Sequence, residues 1–321
     1  MEVEITVHDE TGHPIEDATV ETEHYHWMLR SPISNLAFPV LTMDDFLITK
    51  TRRTNKQGKC SFSFYSKDSR IPFEVTKEGY YVSRKSLSDR MPETKRKWTR
   101  DAQQINIAIN RIKKQIPLLT WNMRSHIHPL PYDSGEFVGF DLLLQDWTPP
   151  YGKGEIIDML VSIKKDYKYL DSGDDTHPFV NVKLEFPGEG NGIQEIKTEH
   201  IMSGSLFPYP HEAPQDGYEL KTFKQDVYIK KRVLLNTQNE NFNFRVRTQV
   251  DAQGKVTNAI YGRITGENGK IDVQGGDARN ILVFDCVINS IPNNRNLEPI
   301  RNNFGNIIPY TPPEDEKGNL R

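Results

Sequence analysis

The sequence predicts an all-β protein built as two β-sandwich domains, and three observations predict it. Short runs in which β-branched and aromatic residues alternate with polar ones recur along the chain, as in Val3-Glu4-Ile5-Thr6-Val7, Val180-Asn181-Val182-Lys183-Leu184 and Phe242-Asn243-Phe244-Arg245-Val246. A period of two marks a strand with one buried face. The runs are bounded by Gly, Pro, Asn and Asp, and sustained helical periodicity is nearly absent. The chain has 321 residues, enough for two domains that each bury a core.

Composition narrows the class. Hydrophobic residues at 36% and charged residues at 26% describe a folded, loop-rich chain rather than a disordered one. A net charge of −3 excludes a general nucleic-acid binder held by a basic face. No apolar run reaches the roughly 18 residues of a membrane span, so no membrane span is expected. Met1 leads directly into the first alternating run, with no basic and apolar leader, so the expectation is a cytosolic protein or a mature form with an added Met.

Along the chain, Gly12-His13-Pro14-Ile15 supplies a first turn before Ala18-Thr19-Val20. Gly12 offers the dihedrals a tight turn needs, and Ala18 is small enough to pack between sheets. Thr54-Asn55-Lys56-Gln57-Gly58 is the next turn, opening Cys60-Ser61-Phe62-Ser63-Phe64, and Phe73-Glu74-Val75 leads to Glu78-Gly79-Tyr80, where Tyr80 is expected to plug the core. Between Val20 and Thr54 lies an insertion holding His24, His26, Trp27, Pro32, Pro39 and Met43, longer than an ordinary hairpin loop. It reads as a lid or as a packing loop. Short helices are expected at residues 43–47, after a cap at Thr42, and within 86–97.

The first domain is expected over 1–112 and a linker over 113–136, from Lys113-Lys114-Gln115-Ile116-Pro117 through Pro129 and Pro131. The second sandwich spans 137–291. In it Asp251-Ala252-Gln253-Gly254 reads as a hairpin turn between strands at 242–250 and 256–264. Gly188-Glu189-Gly190-Asn191-Gly192 follows Pro187 at a strand end and opens no helix, so it reads as a tight hairpin rather than a phosphate loop. Residues 292–321, rich in Asn, Pro and charge, are expected to be irregular and frayed. Cys60 and Cys286 sit in apolar runs in different halves, so two buried free thiols are expected, a bridge between them being the alternative.

The stretch 12–20, the turn 54–58 and Val75-Thr76-Lys77-Glu78-Gly79-Tyr80 together resemble the carboxypeptidase regulatory-like family, a transthyretin-type seven-stranded sandwich common in bacterial surface proteins. The resemblance covers about residues 1–112. It implies a spacer or interaction module at a cell surface or in a periplasm, and the family has no catalytic residues to carry over. Asp146-Trp147-Thr148-Pro149-Pro150-Tyr151-Gly152-Lys153-Gly154 and Asn293-Asn294-Arg295-Asn296-Leu297-Glu298 resemble two-part proteins of environmental bacteria with such a module in front. That second resemblance adds no activity. The many short strands there suit a jelly-roll-like sandwich.

Five aromatic residues in expected loops, Trp121, Trp147, Tyr151, Phe207 and Tyr209, stiffened by Pro149, Pro150, Pro208 and Pro210, are the ligand-binding candidates. A pre-ordered aromatic surface stacks on sugar rings or anchors a protein partner; core packing is the alternative for each. His24 with His26, and His126 with His128, alternate along expected strands and present two imidazoles on one face for zinc, copper or iron. A third ligand would come from His200, His211 or Asp133, the alternative being ordinary surface histidines. Asp171-Ser172-Gly173-Asp174-Asp175 offers the carboxylates of Asp171, Asp174 and Asp175, oxygen chemistry suited to calcium, or a solvated acidic turn. Asp141, Asp146, Glu155 and Asp158 supply candidate pairs for glycoside hydrolysis; the alternative is that Asp146 caps a turn and Asp158 opens a strand. Ser203-Gly204-Ser205 lacks the strand-to-helix elbow of a nucleophile and reads as a loop.

The leading expectation is a non-catalytic binding or structural protein meeting a glycan or another protein, with no resident cofactor. The rivals are a carbohydrate-active or metal-dependent hydrolase using calcium or zinc in the second domain, and a homo-oligomer assembling through strand edges.

Overall fold

The computed structural model describes residues 2–29, 43–64, 70–88, 103–122, 135–169, 176–197, 201–220, 223–230, 233–234, 241–265, 272–276, 279–301 and 307–308. Among these the chain is all-β, with twenty strands and no helix. It divides into two compact units: unit 1 is Met1–Lys113 with Ile201–Tyr209, and unit 2 is Lys114–His200 with Pro210–Arg321.

Unit 1 contains β1 (Glu2–His8), β2 (Thr19–Leu29), β3 (Met43–Arg53), β4 (Lys59–Ser63), β5 (Arg70–Thr76), β6 (Ser83–Ser88) and β7 (Gln103–Ala108). They form a sheet of order β4-β1-β7, with β7 parallel to β1, and a sheet of order β3-β2-β5-β6. Alternation decides which face is buried: Val3, Ile5 and Val7 of β1 and Ile71, Phe73 and Val75 of β5 point into one shared core with Val20, Phe62, Ile105 and Ile107. Each such side chain contributes about 1.5–3 kcal/mol by leaving water.

The turns behave as their residues dictate. Asp9 Oδ1 accepts hydrogen bonds from Thr11 N, Thr11 Oγ1 and His13 N, and Gly12 takes a φ of +86°. Buried Thr54 accepts from Ala18 N and donates to Ile15 O, which locks the second turn onto the first. At the Gly79 corner Tyr80 is half-buried, packed against the unit 1 core with the Arg111 guanidinium over its ring, and Tyr81 beside it is buried against Phe207. The helix expected at 43–47 is instead the first half of β3, because eleven register pairs with β2 override a weak local preference. Residues 86–88 finish β6, and 89–97 lie outside the described residues.

Unit 2 contains β8 (Leu119–Asn122), β9 (Phe137–Asp141), β10 (Asp146–Trp147), β11 (Met159–Tyr169), β12 (Thr176–Glu185), β13 (Gly192–Glu195), β14 (Phe223–Lys230), β15 (Val233–Leu234), β16 (Asn241–Val250), β17 (Val256–Thr265), β18 (Asp272–Gly276), β19 (Arg279–Val283) and β20 (Asp285–Asn289). Their sheets run β10-β9-β11-β12-β14-β15, β13-β16-β17-β20-β8 and β18-β19. Phe140, Trp147, Met159, Val161 and Leu184 of the first meet Trp121, Ile193, Phe244, Ile264 and Ile288 of the second in one apolar core.

Three sequence expectations change here. The supposed linker 113–136 holds β8, which pairs with β20 and buries Leu119 and Trp121. The Gly-rich stretch 188–192 is no hairpin: β12 before it belongs to the six-stranded sheet and β13 after it pairs with β16, so the chain changes sheets there. The expected tail is built into the unit as far as Arg301, since Leu297 and Glu298 are fully buried and Ala213, Ala259 and Tyr261 pack around Leu297. The turn at 251–254 forms as read, with Asp251 N donating to Lys255 O and Gly254 N to Asp251 O.

Candidate functional site

The most completely organised loop of unit 2 runs from residue 142 to 157, around β10. Its backbone is held by carboxylates. Asp141, at the end of β9, accepts from Leu143 N and Leu144 N on Oδ1 and from Glu155 N and Ile156 N on Oδ2, so one side chain ties both arms of the loop together. Asp146 accepts from Trp147 N and Lys153 N and closes the inner turn. Asp158, just before β11, accepts from Leu142 N. Gly154 is required at the crossing: a Cβ there would lie 2.7 Å from Asp146 O and 2.9 Å from the Asp141 Cβ.

Arg247 completes the frame. The β16–β17 ladder shifts register between Val246 and Gln249, and Arg247 itself adopts a φ of +51°. A bulge re-aims a side chain, and here Arg247 Nη2 donates to Asp141 Oδ1 at 2.7 Å and Asp158 Oδ2 at 2.8 Å, while Nε donates to Asp158 Oδ1 at 3.0 Å. Both acids are 1% exposed. Burial pushes the Asp158 carboxyl above its usual range, against the opposing pull of the Arg247 hydrogen bonds and charge.

Beside the charged Lys153 and Glu155, this loop exposes four large apolar or aromatic side chains. Leu144, Tyr151, Ile156 and Ile157 are 38–46% exposed, and several exposed large side chains in one loop are more telling than one alone. Leu144 and Ile156 are fastened through their amides to the same carboxylate. Tyr151 sits in the turn whose amide donates to Thr148 O.

The expected aromatic surface is therefore largely corrected. Trp121, Trp147 and Phe207 are 6%, 1% and 1% exposed and offer no face to a ligand. Trp121 and Trp147 flank Phe140 at ring separations of 5.3 and 4.9 Å inside the unit 2 core, where an indole gains more by leaving water than by waiting for a partner. Phe207 belongs to unit 1 and packs on Tyr81. Tyr209, half-buried, is also in unit 1, and its carbonyl accepts from Asn110 Nδ2. Of the five, Tyr151 alone is exposed.

The acidic residues do not make a hydrolytic pair. Asp141 and Asp158 meet at Arg247 rather than across a cleft, and backbone amides occupy their remaining oxygens. Asp146 is a loop cap, and Glu155 is exposed. Among the metal candidates, His24 is buried edge-on against Phe64, His26 lies opposite Phe46 in the β2–β3 register, and His211 Nε2 is 3.9 Å from buried Glu298 Oε1. His126, His128, Asp133, His200, Asp171, Asp174 and Asp175 lie outside the described residues. Among the described residues no group of three His, Cys, Asp or Glu side chains is placed to hold a metal ion, and no helix is long and apolar enough to cross a membrane. Ser205 forms a bridge with Ser83 in unit 1. Cys60 and Cys286 are buried free thiols, and burial pushes the Cys60 thiol up to about 11 against the opposing charge of Arg52.

Sequence reasoning missed Arg247, Leu144, Ile156 and Ile157. One signal was present: Ile156-Ile157 is an apolar pair between Glu155 and Asp158, outside any alternating run. No family model matches the chain, and no curated protein matches it.

Proposed function

We propose that this chain is a non-catalytic binding protein of a bacterial cell surface or periplasm, and that the loop 142–157 of unit 2 takes a protein partner. The observation that carries this reading is the exposure of Leu144, Tyr151, Ile156 and Ile157 in one loop whose backbone is fixed by Asp141, Asp146, Asp158 and Arg247. A loop already held in one conformation loses little entropy on binding, so its apolar area converts into affinity. The chemistry of these four side chains favours protein over glycan. Sugar rings stack on flat aromatic faces, and both indoles near the loop are interior, which leaves one tyrosine among three aliphatic side chains. Aliphatic groups beside a tyrosine suit the apolar centre of a protein interface. The surface setting rests on the resemblance of residues 1–112 to a surface module.

The test is capture of the partner on the immobilised full chain from the proteins of its own organism, followed by affinity measurement with the purified partner. Tyr151→Ala combined with Ile156→Ser is expected to weaken binding by about 2 kcal/mol, roughly thirtyfold in Kd. Unchanged affinity would remove the loop from the interface. A sugar that binds on a glycan array and is lost in the same variant would replace the protein partner with a glycan.

A further inference from the structure

The Gly-rich crossing at residues 188–192, between β12 and β13, lies against the strand that supplies Arg247. Gly188 and Gly190 adopt φ of +108° and +74°, and neither has room for a side chain. A Cβ at 188 would lie 2.7 Å from Asn191 Nδ2, and one at 190 would lie 2.7 Å from Thr248 Cγ2. The two glycines thus let the crossing approach β16 directly. Half-buried Asn191 is fixed at both ends of its amide: Nδ2 donates to Pro187 O, and Oδ1 accepts from Thr248 N at 3.0 Å. Arg245 Nε donates to Gly190 O at 2.7 Å, a second tie from the same strand.

Thr248 N belongs to the bulge. The ladder pairs Val246 with Ile260 and Gln249 with Asn258, so Arg247 and Thr248 together face Ala259. An extra residue on one strand leaves an amide that the ladder does not satisfy, and Asn191 supplies its acceptor. Arg247, at φ +51°, sits in a conformation that residues with a side chain rarely adopt, so something must hold it there. It is held from two sides, through its guanidinium by Asp141 and Asp158 and through the next amide by Asn191. Among the described residues Asn191 makes no hydrogen bond to the loop 142–157 itself.

We infer that Asn191 is a positioning residue for the exposed loop: it holds the bulge that aims Arg247, so the crossing between the two sheets keeps residues 142–157 in the conformation that presents their apolar side chains. This role rests on the reading of that loop as a binding surface, whose low ordering cost depends on a backbone already fixed.

The test is amide hydrogen exchange of the full chain, read by mass spectrometry on peptides from 142–157 and, as a reference within unit 2, from β20. Asn191→Ala removes the acceptor and is expected to speed exchange in 142–157 about tenfold while β20 stays unchanged. Asn191→Asp keeps an oxygen for Thr248 N but gives up the donor to Pro187 O, and is expected to hold exchange within about threefold of the wild type. In an Arg247→Met background Asn191→Ala is expected to add less than about twofold, because the two residues act through one link. An unchanged loop, a rise shared with β20, an alanine variant that does not fold, failure of the aspartate to rescue, or a step of about tenfold on top of Arg247→Met each overturns the inference. Exchange is read without a partner, so such a result removes the role of Asn191 and leaves the loop's own affinity measurement standing. Conversely, a loop that binds nothing leaves the exchange pattern intact.

Discussion

At the scale of single residues, Arg247 has the largest predicted effect. It is one cation between two acids that are almost entirely excluded from water, and removing one member of such a set leaves uncompensated buried charge. Arg247→Met is expected to destabilise unit 2 by about 3 kcal/mol near neutral pH, the low end of the range for a broken buried pair because the guanidinium is itself 24% exposed. The pH dependence has a definite sign. Burial holds the folded Asp158 carboxyl above its unfolded value, so its contribution to stability is full below the unfolded value and is lost as pH rises through the folded one. Without Arg247 that opposing pull disappears and the carboxyl rises further. The deficit of the variant is therefore largest near pH 7 and shrinks toward pH 4, as the Asp158 carboxyl takes up its proton. Urea denaturation of both proteins at the two pH values measures it; a deficit that stays constant would mean Arg247 acts through packing alone.

At the scale of elements, the close contact between β16 and β17 limits what the sequence tolerates. Gly262 stands opposite Phe244 in the ladder, and a Cβ at 262 would run into the Phe244 ring, which is fully buried. Gly262→Ala is expected to cost about 1–3 kcal/mol through overpacking, seen as a lower unfolding midpoint with an unchanged denaturant slope. A neutral result would show that the ring has room to move. The same two strands show what a sequence discloses. Their alternation and the turn at Asp251 were legible because period and turn chemistry are local. The strand at Met43–Arg53 was not, since Thr42-Met43-Asp44-Asp45 looks like a capped helix start and only pairing with β2 decides otherwise. Trp147 was misplaced for a related reason: its strand has two residues, too few to show a period, and its inward direction comes from pairing with Phe140. Arg247 reads as one more polar position in Arg245-Val246-Arg247, and the bulge that turns it toward Asp141 and Asp158 has no local sequence mark. The site was thus legible at Tyr151 and illegible in the frame that holds it, because that frame is assembled from residues about a hundred positions apart in sequence.

At the scale of the whole molecule, unit 1 is discontinuous in sequence, which the resemblance of residues 1–112 to a self-contained module did not foretell. Residues 201–209 complete it. Arg84 N donates to Gly204 O and Leu206 N to Val82 O, so the segment extends the pairing at the start of β6. Phe207 lies with its ring 5.2 Å from Tyr81, and buried Asn110 spends its side-chain amide on the carbonyls of Phe207 and Tyr209. A fragment ending at Lys113 would expose Tyr81 and return the Asn110 amide to water. Burial of one phenylalanine contributes about 1.5–3 kcal/mol and each hydrogen bond about 1 kcal/mol. A fragment 1–113 is therefore expected to be less stable, by about 3 kcal/mol, than one with 201–209 appended through a flexible linker, the linker's closure entropy offsetting part of the gain. Asn110→Ala separates this from nonspecific stabilisation by added chain: it should lower the unfolding midpoint of the appended form and leave that of 1–113 nearly unchanged, because only the former has the carbonyls to lose. Equal effects in both fragments would show that the segment lies against unit 1 without belonging to its cooperative fold.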